Sequence, residues 1–140
     1  MVRVNLLNPK NLTDQHLVAE YGEILILLKY IKKYPSIENL PKKYCLGKGH
    51  MKFFKNKLKY LKKRHNLIIK EMKKRGFKTN KKVNLKNYNK NLIKDWKPSK
   101  KDKEEIKKRI IQRIKLKPKF YKYYRKSHPK EFYINLIKKA

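Results

Sequence analysis

An all-α fold, a single compact domain of about three main helices with long irregular connections, is predicted by three features of the chain. Apolar residues recur at steps of three and four through three stretches, near residues 14–34, 50–76 and 100–117. Each stretch is bounded by helix punctuation: Pro35 after the first, Gly76 after the second, Ser99 and Pro118 around the third. The length of 140 residues suffices for one modest core. A composition of 39% apolar and 37% charged residues approaches that of disordered chains, but periodic spacing of the apolar residues argues for folding.

In chain order, Val2 to Leu7 is short and apolar-leaning, and Asn8-Pro9-Lys10-Asn11 reads as a loop. Thr13 or Asp14 can cap a first, central helix that runs to Tyr34. Leu17, Tyr21, Ile24, Leu28 and Ile31 form its stripe, widened by Val18 and Leu25. Gly22 inside this helix costs roughly 1 kcal/mol relative to Ala, so a packing or close-approach reason is expected for it. Residues 35–48 form a connection, and Gly47-Lys48-Gly49 lacks the fuller pattern of a phosphate-binding loop.

From His50 onward, Phe54, Leu58, Leu61, His65, Ile68 and Met72 predict one long helix ending at Gly76, with His65 as a core or boundary histidine. Residues 77–97 are rich in Lys and Asn and read as a long loop whose end Trp96 pins to the core. Ser99 and Asp102 form a capping-box pattern for a third helix with Ile106, Ile110 and Ile114 on its stripe, and Arg109 and Arg113 share a face one turn apart. The interleaved aromatics and bases of 120–126 read chiefly as a cluster docking the C-terminal segment, with base stacking as the alternative. Residues 129–138 can add a short helix.

Lys and Arg total 42 against 10 Asp and Glu, a formal net charge of +32. Such a charge predicts attraction to a polyanion and steep salt dependence, and nucleic acid fits it best. An anionic membrane surface is the weaker partner, since no apolar run is long enough to span a bilayer and no lipidation signal occurs. The single cysteine, Cys45, excludes an intramolecular disulfide, and with no secretory pattern an intracellular protein is expected. Up to Leu28, however, Arg3 and Lys10 face Asp14, Glu20 and Glu23, so a roughly neutral segment with a compact acidic patch precedes the basic remainder. No zinc spacing, nucleophile triad or P-loop stands out, so no metal or cofactor is expected.

Several separated blocks carry a resemblance. Met1-x-Arg3-x-Asn5-Leu6, Asp14-Gln15-His16-Leu17-x-Ala19-Glu20-Tyr21-x-Glu23, Leu46-Gly47-x-Gly49-His50, Phe53-Phe54-x-x-Lys57-Leu58, Lys73 with Arg75-Gly76-Phe77, and Tyr121-Lys122-Tyr123-Tyr124 resemble, in order, the pyrimidine-dimer DNA glycosylases with AP-lyase activity of phage and large viruses. Residues 79–97 match poorly, and the tail after Lys126 reads as an extra C-terminal segment of the one domain spanning 1–140.

The resemblance implies that Met1 is removed and that the α-amino group of Val2 attacks the sugar of damaged double-stranded DNA, releases the base and nicks the strand through an imine. Such an amine has a reference pKa near 7.7–8.0, so an appreciable fraction is neutral near pH 7. Glu23 matches the catalytic carboxylate. Arg3, Gln15 and His16 match positions near the DNA and the lesion, and Arg109 and Arg113 those of phosphate-contacting bases. The resemblance implies a monomer with no obligate protein partner. Valine replaces the family's usual threonine at position 2, and Gly22 and Ile26 stand where arginines help hold phosphates, a change that lysines compensate poorly because they lack the planar fork. The competing reading is a non-catalytic basic DNA-binding or packaging protein on the same scaffold.

Overall fold

A computed structural model describes residues 2–140. It is helical, with no strands among the described residues and no helix long and apolar enough to cross a membrane. Five helices follow in order: α1 Asp14–Lys33, the short α2 His50–Phe53, α3 Leu58–Lys74, α4 Lys100–Leu116 and α5 Lys130–Lys138. Single 3-10 turns form at Pro9–Asn11, within the expected first loop, and at Phe54–Asn56 and Lys90–Leu92. Helix α1 packs on α3 and α4 on α5, and one core cluster runs from Val2 to Ile137.

The start of α1 follows from Thr13, whose hydroxyl accepts the His16 backbone N–H, a cap worth about 1 kcal/mol. Its buried stripe is rotated from the expected one. Val18 is 39% exposed, whereas Glu20 and Leu27 are buried beside Leu17, Ile24, Leu28 and Ile31. The reason is ionic: Arg64 of α3 grips the Glu20 carboxylate through Nε at 2.6 Å and Nη2 at 3.1 Å, and its Nη1 donates to Leu7 O. A fully buried carboxylate is tolerated when it is paired and hydrogen-bonded in this way. Gly22 meets no packing constraint, because a Cβ there would find no atom within 4 Å.

The long helix expected from His50 to Gly76 is broken at Lys57, whose backbone (φ −126°, ψ 37°) lies outside the helical region. The Lys57 ammonium donates to Phe53 O and Asn56 Oδ1 and sits 3.9 Å from the Phe53 ring centroid. Phe53 at the end of α2 and Phe54 at the start of the 3-10 turn are both buried and meet Trp96 edge-on. Trp96 also stacks on Tyr44 and so ties the end of the 77–97 connection to the core, as expected.

The capping box at Ser99 and Asp102 forms in both directions, and Ile106, Ile110 and Ile114 are buried. The aromatic run docks the C-terminal segment: Tyr121 stacks on His16, Tyr123 donates to Lys10 O, and Tyr124 donates to Glu71. Asp14 completes this dock by accepting the backbone N–H groups of Tyr124 and Arg125, both at positive φ, and an Nη1–H of Arg75. His65 is the core histidine expected, fully buried, stacked on Tyr21 and bonded to its carbonyl.

Candidate active site

The three acids of the near-neutral segment have separate fates. Asp14 and Glu20 are consumed by the buried arginines Arg75 and Arg64. Asp14 borders a separate hollow beside Phe77 and Arg125, whereas Glu23 faces a cavity that has a volume of about 190 Å³ and is lined by Arg3, Asn5, His16, Ala19, Glu23, Arg109, Ile110 and Arg113. Five of the residues singled out from the sequence thus converge from three segments: the N-terminal strand-like stretch, one face of α1, and α4.

Helical spacing explains the convergence within each element. His16, Ala19 and Glu23 are separated by three and four residues, and Arg109 and Arg113 by four, so each set shares one face. The register of α4 is set by Ile106, Ile110 and Ile114, which face the core and leave Arg109 half-buried and Arg113 exposed at the cavity edge. Neither Arg109 nor Arg113 forms an ion pair among the described residues.

The N-terminal segment is fixed by residues to which sequence reasoning gave no role. His50 Nε2 accepts the Val4 backbone N–H at 3.0 Å while His50 Nδ1 lies 2.9 Å from Cys45 O. Burial holds the His50 pKa down at about 4, so the ring is neutral, with Nδ1–H as donor and Nε2 as acceptor. At the next peptide, Val4–Asn5, the Tyr44 hydroxyl donates to Val4 O at 3.1 Å. The signal for this clamp was in the sequence as Gly47-x-Gly49-His50. Gly49 adopts φ +92°, and a Cβ there would stand 3.1 Å from Pro41 Cγ, so glycine is required to deliver His50 to the start of α2.

Beyond Val4 the chain bends sharply. Leu6 has φ +59°, and the Leu7 N–H closes a three-residue turn onto Asn5 O at 2.6 Å. Asn5 therefore lines the cavity while Leu6 and Leu7 turn away from it.

Electrostatics distinguish Glu23 from an ordinary helix acid. Burial raises its pKa to about 7, Glu20 adds to the rise, and a hydrogen bond from the Arg3 backbone N–H together with the Arg3 charge opposes it. The carboxyl group thus exists in both protonation states near neutral pH. That hydrogen bond also ties the Val2–Arg3 peptide to Glu23. Arg3 is itself pushed below its usual value by burial and by Arg109. His16, whose Nδ1 lies 2.8 Å from Thr13 Oγ1, is lowered to about 4 by burial and by Arg113. It is therefore a neutral ring at the cavity wall, a hydrogen-bonding and stacking group rather than a cation.

Two sequence-derived residues have side chains outside the lining of this cavity. Gln15 points away from this cavity: its Oε1 accepts the Lys122 backbone N–H, which spends the amide on the C-terminal dock. Val2 is packed into the core cluster, and Met1, whose removal the amine reading requires, falls outside the described residues. Gly22 and Ile26 bring no charge to this face, and Ile26 is 55% exposed.

The cavity is smaller than the roughly 300–1,000 Å³ typical of sites that enclose a drug-sized ligand. It suits one reacting portion of a larger molecule whose remainder stays outside among the arginines. A sequence model of the pyrimidine dimer DNA glycosylases matches residues 1–85, which include Arg3, His16, Glu23 and the His50 clamp but not α4. With more than half of its length so matched, the chain belongs to the pyrimidine dimer DNA glycosylase family.

Proposed function

We propose that this protein removes a base of a pyrimidine dimer in duplex DNA and then nicks the strand as an AP lyase, with the Val2 α-amine, freed by loss of Met1, as nucleophile and Glu23 as the proton-handling carboxylate. The observation that carries the reading is Glu23, with a pKa near 7, hydrogen-bonded to the Arg3 backbone at the mouth of a cavity rimmed by Arg3, Arg109 and Arg113.

The neutral amine attacks C1′ of the damaged nucleotide, and the bond to the base breaks with its electron pair leaving on the base. Arg3 and the positive field around the site favour the neutral amine. Ionised Glu23 stabilises the positive charge that develops at the sugar, and protonated Glu23 supplies a proton as the ring opens to the imine. The imine then acts as an electron sink: the Glu23 carboxylate left by that transfer accepts a C2′ proton, and the C3′–O bond breaks by β-elimination with its electron pair leaving on the 3′ phosphate. Arg109 and Arg113 hold phosphates on either side of the lesion through guanidinium donors.

Borohydride trapping tests this directly. Incubation of the mature protein with duplex DNA carrying a cyclobutane pyrimidine dimer or an abasic site should give a reduced, covalent protein–DNA adduct at the Val2 nitrogen, formed equally in the presence of chelators. Glu23→Gln should bind DNA nearly as well and nick far more slowly. Retained Met1, or adducts scattered over surface lysines at the same yield in Glu23→Gln, would leave a non-catalytic DNA-binding protein as the better account.

A further inference from the structure

The molecule carries a larger concavity that shares no residue with the catalytic cavity. It measures about 710 Å³ and lies between the outer face of α3, the Leu6–Lys10 bend and the 95–98 stretch. The positive-φ turn at Leu6 separates the two, with Asn5 lining one and Leu6 the other, and the buried Arg64–Glu20 pair stands between them.

The charge pattern of this cleft is lopsided. Its acids are already spent: Glu71 is held by Arg75 Nε at 2.8 Å, and Asp95 by Lys63. Lys10, Lys70, Lys74, Lys97 and Lys103 have no ion-pair partner among the described residues, and all five are exposed. They come from four separate parts of the chain, so the fold gathers them rather than a single lysine run. The same cleft is lined by Trp96, half-buried, and Leu67, 54% exposed, so apolar surface and free cations share it. A row of phosphates flanking the apolar faces of deoxyriboses has the complementary pattern.

We propose that this cleft is a second nucleic-acid site that holds the backbone of another duplex DNA segment while the catalytic cavity engages the first. One molecule can thereby bridge two duplexes and pass from one to the other without full release. The contact is to phosphates and is indifferent to sequence and damage. The inference rests on DNA as the partner and on no step of the chemistry, so undamaged DNA tests it separately from the amine mechanism.

A biotinylated duplex on beads and a fluorescent duplex in solution, both undamaged, provide the assay. The wild-type protein should retain the fluorescent duplex on the beads, in complexes of one protein with two duplexes by mass photometry. The variant carrying Lys70→Glu, Lys74→Glu and Lys97→Glu should lose this capture more than tenfold while keeping kcat on saturating lesion duplex within twofold. A control with Lys130→Glu, Lys138→Glu and Lys139→Glu removes the same charge from exposed positions at the two ends of α5 and should still bridge. The proposal is overturned if the cleft variant bridges as well as the control, if both lose capture equally, or if bridging complexes contain two proteins.

Discussion

Replacing Glu23 with Gln should make the protein more stable, and the gain should depend on pH in a direction set by the cavity. In the folded chain the Glu23 pKa is about 7 against an ordinary value of 4.5. The folded state therefore keeps a proton that the unfolded chain releases, and stability attributable to this group falls as pH rises from about 4.5 through 7. Two and a half pH units at about 1.4 kcal/mol each give an upper bound of about 3.5 kcal/mol, and partial access to solvent reduces this to about 1–2 kcal/mol. Gln cannot ionise and escapes that cost. Thermal unfolding at about pH 8 should then place Glu23→Gln about 3–6 °C above wild type, shrinking to about 2 °C or less near pH 5.5. Strand nicking should be lost in the same variant, a trade of activity for stability that identifies a site held under strain. A melting difference that stays constant with pH, or a variant less stable than wild type at pH 8, would refute burial as the origin of the shift.

Arg64→Ala should destabilise the fold by about 3–5 kcal/mol, measured by denaturant unfolding, because it leaves the fully buried Glu20 carboxylate without its cation. Gly49→Ala must adopt φ +92° and crowd Pro41, so it should displace His50, release the Val4 peptide and slow nicking about tenfold while DNA affinity changes little, a split read from kcat and binding titrations. Arg109→Ala and Arg113→Ala should each weaken binding to damaged and undamaged duplex by similar factors in anisotropy titrations, since a phosphate contact reads no lesion. Loss confined to lesion-bearing duplex would move those residues to the reaction centre.

Elements whose punctuation and periodicity agree were legible in the sequence. Helix α4 shows this most fully, with a Ser99 cap answered by Asp102, three isoleucines four residues apart and a proline beyond its end. The break at Lys57 was not legible, because Phe54, Leu58 and Leu61 keep a helical step across it and no proline or glycine marks the residue whose backbone leaves the helical region. Nor was the rotated stripe of α1, since Glu20 reads as a solvent-facing acid until Arg64, forty-four residues away, is placed against it. Gln15 illustrates the limit for sites. Its neighbour His16 does line the cavity, but one residue of helix turns a side chain by about 100°, enough to send Gln15 to the Lys122 backbone instead.

One signal in the composition would have pointed to the buried pairing of Glu20 that pattern reading missed. Among 42 basic residues the arginines are only Arg3, Arg64, Arg75, Arg109, Arg113 and Arg125. Arg3, Arg109 and Arg113 ring the cavity, Arg64 and Arg75 neutralise buried carboxylates, and Arg125 donates to Gly76 O while covering Phe77. A surface that needs only positive charge can use lysine, whose ammonium is a flexible, strongly hydrated point charge. A site that needs two donors in a fixed plane, or a cation that tolerates burial, cannot. In a chain where lysine is the default base, each arginine therefore marks a place where geometry matters. Under the proposed function, with Gly22 and Ile26 uncharged on α1, fixed-geometry contacts to DNA would fall to the three arginines around Glu23, and the lysines would supply affinity that salt readily removes.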